Sequence, residues 1–514
     1  MSTLERPNVV IVLADDLGWG DLGCYGATRI GTPNIDRLAS EGVRFEDVHS
    51  ASSVCTPSRY ALLTGRYCWR SPLKRRVLMG HAPALIERAR PTIASVLQSA
   101  GYATAAIGKW HLGLGWRQKD GSVWSALESG DPLELQDVGI DFERGKDRGL
   151  DDGSTIDYAQ PFINGPLDLG FERFFGIAGS LDMPPYAFLS QDRTVGIPDR
   201  EKEVYLDEQR AGLQTEDWDE RQVDLRFTSE AVKFIEERAG SMQPFFLYFA
   251  TSAPHRPQVP PSFLVGSSEA GPRGDSVVFV DWMTQQLLDA LDRAGKTENT
   301  LFIFTSDNGA PTIFDDGDTT IHRPNGPWRG QKGDIWEGGH REPFIVRWPG
   351  RIPAGAIRQD SFGLIDLLPS LASIVGLERP ADAAPDAVDV SALLVGAQGA
   401  GHGSLVHHSM GGAFSVRSGK WKAIFSTGSG GGFSDPKGEV IGPSQPEGQL
   451  YDLSVDPWER RNVWAQNPDL VADLYTELMA IAGDPGSGLS FDAPIAGDRH
   501  GSRSDPDSAG HEAT

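Results

Sequence analysis

"NVVIVLADD", residues 8–16, runs seven residues without a charge and then ends in two aspartates. A strand with one wet face alternates apolar and polar residues, whereas a strand covered on both faces does not. This run is short and rich in Val and Ile, so it reads as a strand buried on both sides, as a parallel sheet requires. "YATAAIG" from Tyr102, "PFFLYFA" from Pro244, "TLFIFTS" from Thr300 and "PFIVRWP" from Pro343 read the same way. Between them lie helical patterns. "TPNIDRLASEG" has Thr32 as cap, Pro33 in the first turn and Gly42 at the end, and "PTIASVLQSAG", "RFTSEAVKFIEERAG" and "SVVFVDWMTQQLLDALDRAG" each stop at a glycine. Strands alternating with helices predict an α/β fold, a large, mostly parallel or mixed sheet flanked by helices.

Residues 116–214 are rich in Gly, Asp and Pro and read as long loops over that sheet. After Gly376 an Ala/Pro/Asp stretch reads as a linker. "FSVRSGKWKAIFS" and "GQLYDLSVDPWERRNV" then predict antiparallel strands, followed by a helix over 468–482. The expected organisation is a catalytic α/β domain over 1–380, a small C-terminal α+β subdomain with an antiparallel sheet over 381–483, and a disordered tail over 484–514.

The chain has 514 residues and a net charge of −24, which argues against nucleic acid or an anionic membrane as partner. It leaves room for a locally basic pocket and a small anion. Cys24, Cys55 and Cys68 are too few for a disulfide framework. No run approaches membrane-spanning length, and "MSTLERPNVVIVLADD" lacks the basic and apolar segments of a signal peptide, so the expected compartment is the cytoplasm.

In doubly wound sheets ligands bind beyond the carboxyl ends of the strands. The run from Asn8 ends in Asp15 and Asp16; the run from Thr300 ends in Asp307 and Asn308. Either pair alone reads as a solvated turn. Both at one sheet edge repel each other without a cation, and all-oxygen ligands suit Ca²⁺ or Mg²⁺. Basic groups follow other strand ends: Lys109 and His111 in "GKWHLG", His255 in "TSAPHRP", and Lys332 in the glycine-rich "WRGQKGDIWEGGHREP". Arg59 lies four residues beyond Cys55 in "SVCTPSRYALLTG". Singly, each is an ordinary surface charge or structural histidine. Together they would ring a tetrahedral oxyanion with donors.

"SVCTPSRYALLTG" resembles the first signature of the type I, formylglycine-dependent sulfatases, and "GYATAAIGKWHLG" resembles the second. "VLADDLGWGDLGCYG", "FTSDNGA" and "KGDIWEGGHREP" are similar to further blocks of that family, in the expected order, across roughly residues 7 to 376. "LYDLSVDPWERRN" more weakly resembles its C-terminal subdomain. The family belongs to the alkaline phosphatase superfamily. The resemblance implies an arylsulfatase-like hydrolase of organic sulfate monoesters, small-molecule or sugar. It implies that Cys55, in Cys-X-Pro-X-Arg with Pro57 and Arg59, is oxidised to formylglycine by a formylglycine-generating enzyme. One hydroxyl of the aldehyde hydrate attacks sulfur; the other collapses to the aldehyde and expels sulfate, where a plain serine would leave an ester awaiting water. It implies further that Asp15, Asp16, Asp307 and Asn308, with residue 55 itself, hold one divalent cation, usually Ca²⁺. Arg59 and Lys109 would orient the formylglycine, and His111 would be its base. His255 and Lys332 would bind sulfate, one of them assisting the leaving alcohol.

A phosphonate or phosphate-ester hydrolase of the same superfamily is the competing expectation. Asn308, where such relatives carry His, and Lys332 both favour sulfate. A catalytically dead binding protein is the other, and it conflicts with the complete catalytic set. "SLDMPPYAF" from Ser180 reads equally as pocket wall or as an ordered Pro-rich loop. Lys74–Arg76 reads as a solvated loop ahead of a contact for a polyanionic sugar, and His322, His340, His407 and His408 are read in polar loops without assigned roles.

Overall fold

A computed structural model describes residues 6–123, 153–203, 209–312, 322–378, 383–437 and 446–483. The tail expected over 484–514 lies outside the described residues. In chain order the strands are β1 (Asn8–Asp15), β2 (Val43–His49), β3 (Ala103–Lys109), β4 (Arg173–Ile177), β5 (Leu189–Ser190), β6 (Arg193–Thr194), β7 (Arg200–Glu201), β8 (Leu213–Gln214) and β9 (Phe245–Pro254). They continue with β10 (Thr300–Ser306), β11 (Arg341–Arg347), β12 (Ala356–Arg358), β13 (Phe362–Gly363), β14 (Ser404–His408), β15 (Phe414–Ser418), β16 (Trp421–Ile424) and β17 (Gln449–Asp452). Eleven of them form one sheet in the order β12-β2-β11-β10-β1-β9-β3-β4-β5-β6, with β13 also on β2.

β1 is the central strand, parallel to β10 on one side and β9 on the other. Its residues are all buried, and they alternate between two cores. Val9, Ile11 and Leu13 face one, while Val10, Val12 and Ala14 face the other. That two-sided burial is why the run shows no polar alternation. Helices α1 (Pro33–Ser40), α4 (Glu220–Glu236) and α5 (Gly271–Arg293) cover the second face through Leu38, Phe227 and Val280. Helices α2 (Cys55–Thr64), α3 (Ile93–Ser99) and α7 (Leu367–Ile374) cover the first through Leu62, Leu97 and Leu368.

Two local expectations change. β11 runs antiparallel to β10 and to β2. The described part of the β10–β11 connection carries only the four-residue α6 (Glu337–His340), and without a crossover the chain must return from the edge it left. β4 lies within the stretch read as loops and extends the sheet parallel to β3. Its five residues are too few to show a period. Gly108, at φ +118°, lets β3 and β9 approach there; a Cβ would strike the Ala250 carbonyl.

The second sheet is antiparallel, β14-β15-β16-β17. Val406, Val416, Ala423 and Leu450 belong to the same core as Leu13 and Leu62, as do Leu474 and Leu478 of the C-terminal helix Pro468–Ala482. The stretch read as a linker is packed as well. Ala383, Ala384 and Val390 are buried, and Asp386 pairs with Arg70. A buried ionic knot adds to the join. Lys422 Nζ on β16 lies 3.0 Å from Glu337 and 2.8 Å from Glu459, with all three side chains fully buried. Lys422→Ala strips both carboxylates of their shared cation. We expect a loss of about 3–5 kcal/mol, read from the urea midpoint; an unchanged midpoint would show that the knot does not join the sheets.

Candidate active site

The carboxyl ends of the central strands meet the N-terminus of α2. Cys55 is the first residue of that helix, and the Val54 cap position offers no side-chain acceptor. Helix N–H groups therefore point at the strand ends. Ligand atoms of Asp15, Asp16, Asp307 and Cys55 all lie within 4.8 Å of one another, as do those of Asp16, Cys55 and His255. Cys55 Sγ is 3.6 Å from Asp15 Oδ1. Asn308 Nδ2 donates to Asp16 Oδ1 at 2.7 Å, while its buried Oδ1 has no partner. Asp16 takes φ 64°, a left-handed turn that Asp tolerates, and its N–H donates to Asp307 Oδ1.

Two cations are built into the carboxylate layer. Arg59, one helical turn after Cys55, donates Nε to Asp307 Oδ2 at 2.8 Å and Nη1 to the Lys109 carbonyl at 3.1 Å. Lys109 Nζ donates to Asp15 Oδ2 at 2.6 Å. Burial still pushes Asp15 up to about 7; Lys109 and Arg59 pull it down, against Asp307 and Asp16. Burial also pushes the Cys55 thiol far above its usual range, so it is held neutral.

The remaining basic groups line a pocket above this layer. His111 donates Nε2–H to the Leu78 carbonyl at 2.7 Å, which leaves Nδ1 a buried lone pair without a partner. Burial, with Lys109 and Arg59 nearby, holds that imidazole neutral. His255 donates Nδ1–H to the Arg256 carbonyl, and its Nε2 is 3.7 Å from Asp16 Oδ2. Burial and Lys332 lower its basicity too. Lys332 Nζ donates to Asp16 Oδ2 at 2.7 Å; burial would discharge it, but the carboxylates of Asp16 and Asp15 hold it charged. All ten expected positions therefore converge. The layer holds Asp15, Asp16, Asp307, Asn308, Arg59 and Lys109; the rim holds Cys55, His111, His255 and Lys332.

The Pro-rich loop from Ser180 contributes pocket wall, through Ser180, Asp182 and Met183. Sequence reasoning missed Arg256 and Phe433, which also line it. Arg256 adjoins His255, the one available signal; Phe433 comes from a glycine-rich loop with none. Lys74 is half-buried, with Nζ donating to the Trp69 carbonyl at 2.6 Å. The polar-loop reading fails for three histidines. His340 ends α6, His407 and His408 lie in β14, and all are buried. His340 Nδ1 lies 3.0 Å from His49 Nδ1, and its ring stacks on His407 at 3.8 Å. His322 meets Asp21 at 2.8 Å.

The family model described as Sulfatase matches residues 7–377. An N-acetylgalactosamine-6-O-sulfatase of Bacteroides thetaiotaomicron is 34% identical, over 93% of this chain and 93% of its own. Human arylsulfatase A is 33% identical, over 90% of this chain and 84% of its own. A solved structure from work on glycosaminoglycan metabolism by Bacteroides thetaiotaomicron superposes with TM-score 0.77 at 31% identity, covering 93% of this chain and 99% of that one.

Proposed function

The chain belongs to the sulfatase family and hydrolyses sulfuric ester bonds, and on that footing we propose that residue 55 acts as a formylglycine nucleophile beside one divalent cation, Ca²⁺. The observation that carries this reading is the packing of three carboxylates and Cys55 at an uncapped helix N-terminus. The donors fit a hard cation. They are oxygens, and Asn308 Oδ1 is buried without a partner. When bound, such an ion draws charge from a sulfate oxygen and neutralises the carboxylates. A thiol held neutral is a poor nucleophile, which favours conversion of Cys55 by a formylglycine-generating enzyme over direct thiolate attack. The hydrated aldehyde supplies one hydroxyl to attack sulfur and a second whose deprotonation expels sulfate.

The chain's own groups then divide the work. Arg59 and Lys109 fix the carboxylates and crowd positive charge against residue 55. His111 takes a proton at Nδ1, the nitrogen its bond to Leu78 leaves open. Lys332 holds sulfate oxygens, joined by His255 when its Nε2 carries a proton, and one of the two protonates the departing alcohol. The N-terminus of α2 adds backbone donors. His255, His111 and Asn308 are not the paired histidine ligand sets of two-metal phosphatases, so the phosphate-ester reading is not favoured.

Side-by-side kinetics on 4-nitrophenyl sulfate and 4-nitrophenyl phosphate, with Ca²⁺ supplied, test the reading. We expect a far higher kcat/KM on the sulfate; preference for phosphate overturns it. Lys332→Ala removes a charged donor to the sulfate oxygens, and its kcat/KM should fall roughly 10²-fold.

A further inference from the structure

The pocket is lined by two unlike kinds of side chain. Val54, Val77, Met183 and Met410 form an apolar cluster, with Phe433 packed against it. The same pocket is also lined by Ser180, Asp182, His255 and Arg256. Asp182 is out of place among groups that would bind an anion. Its carboxylate is 2% exposed, and Arg210, 2.6 Å from Oδ2, helps hold it well below the usual range, overcoming burial. Only Oδ2 is tied in this way. Asp182 Oδ1 is buried without a partner, and so is Ser180 Oγ.

An ionised carboxylate offers acceptors and no donor. It repels sulfate, and an unpartnered buried oxygen is costly. It becomes favourable when the alcohol side of the ester brings a hydroxyl of its own. We propose that Asp182 is a specificity-determining residue, reading through Oδ1 a free hydroxyl on the sulfated molecule. The preferred substrates are therefore sulfated sugars or other polyols. Ser180 Oγ supports the same contact, and the apolar cluster takes the C–H face of the ring. A plain aryl sulfate presents no such donor and leaves Oδ1 unpaired.

The proposal rests on the sulfatase reading, and one experiment separates the two. Sulfate release is measured for wild type, Asp182→Asn and Asp182→Ala on hexose monosulfates esterified at each position, on the mono-deoxy analogues of the best of them, and on 4-nitrophenyl sulfate. For wild type we expect the best hexose sulfate to exceed 4-nitrophenyl sulfate in kcat/KM. Deleting one particular hydroxyl should cost roughly 10²-fold, as for a hydrogen bond to a charged group. In the Asp182 variants deletion of that same hydroxyl should cost less than about threefold, because the two losses are one interaction. A structural role for Asp182 predicts equal deoxy penalties in wild type and variant, and that result overturns the proposal. So does a wild type indifferent to every hydroxyl, whether or not a variant folds. Asp182→Asn keeps the shape and an acceptor for Arg210, so it is the variant expected to fold. Absence of sulfate release from every ester, 4-nitrophenyl sulfate included, overturns the sulfatase reading instead.

Discussion

Cys55→Ala should abolish turnover, with kcat/KM falling roughly 10⁴-fold or more, while the protein stays folded. The side chain is lost at the one position where the helix N-terminus, Lys332 and the carboxylate layer converge, and removing a nucleophile costs far more than removing a supporting donor. The fold has little at stake. Cys55 Sγ makes one long hydrogen bond, 3.6 Å to Asp15, and the side chain is small, so the truncation should cost about 1 kcal/mol. Peptide mass spectrometry on wild type made with a maturation enzyme should show the thiol replaced by an aldehyde at residue 55. Fully active protein carrying only unmodified cysteine would remove formylglycine from the mechanism.

Asp307→Ala should lose bound cation and activity together, with turnover down roughly 10³-fold. Asp307 serves both sides of the layer. Its Oδ1 accepts the Asp16 N–H, and its Oδ2 accepts the Arg59 Nε–H and lies 2.7 Å from Arg59 Nη2 as an ion pair. Truncation leaves a fully buried guanidinium with Asp15 as its nearest carboxylate at 3.4 Å, a loss of about 3–5 kcal/mol. Asp307→Asn keeps the shape and one acceptor, so it should fold more securely and still bind metal weakly. Elemental analysis after dialysis, beside the melting curve, separates lost metal from lost fold. Wild-type metal content in Asp307→Asn would place the cation elsewhere.

The sheet and its reactive edge were legible for one physical reason. Strands buried on both faces seldom carry charge in their middle, so the first charged residues closing each run mark the end of the sheet. Asp15, Asp307 and Lys109 stand there, and the structure brings them together. β4 stayed hidden because five residues do not make a period, and β11's direction because it depends on the path of the connection. The polar lining of the pocket was harder still. Nothing in "SLDMPPYAF" distinguishes an aspartate paired on both oxygens from one paired on Oδ2 alone, since Arg210 arrives from 28 residues away. The stacked His340 and His407, and His49 beside them, come from α6, β14 and β2, and no local pattern links those elements.

The backbone just before Cys55 is finished by the far end of the chain. Ser52 Oγ and the Ser53 N–H both donate to the His408 carbonyl on β14, across 356 residues in the first case. Cys55 itself is 1% exposed in the folded chain. Timing follows from this. An enzyme that must take hold of the Cys-Thr-Pro-Ser-Arg segment can do so only while β14 is unmade or undocked. At about 5–20 residues per second a ribosome needs roughly 20–70 s to travel from Ser52 to His408. The proposed oxidation of Cys55 thus competes with a clock set by chain length. Slowing translation between those two points should raise the fraction of converted molecules, and pre-folded, unconverted protein should stay unconverted.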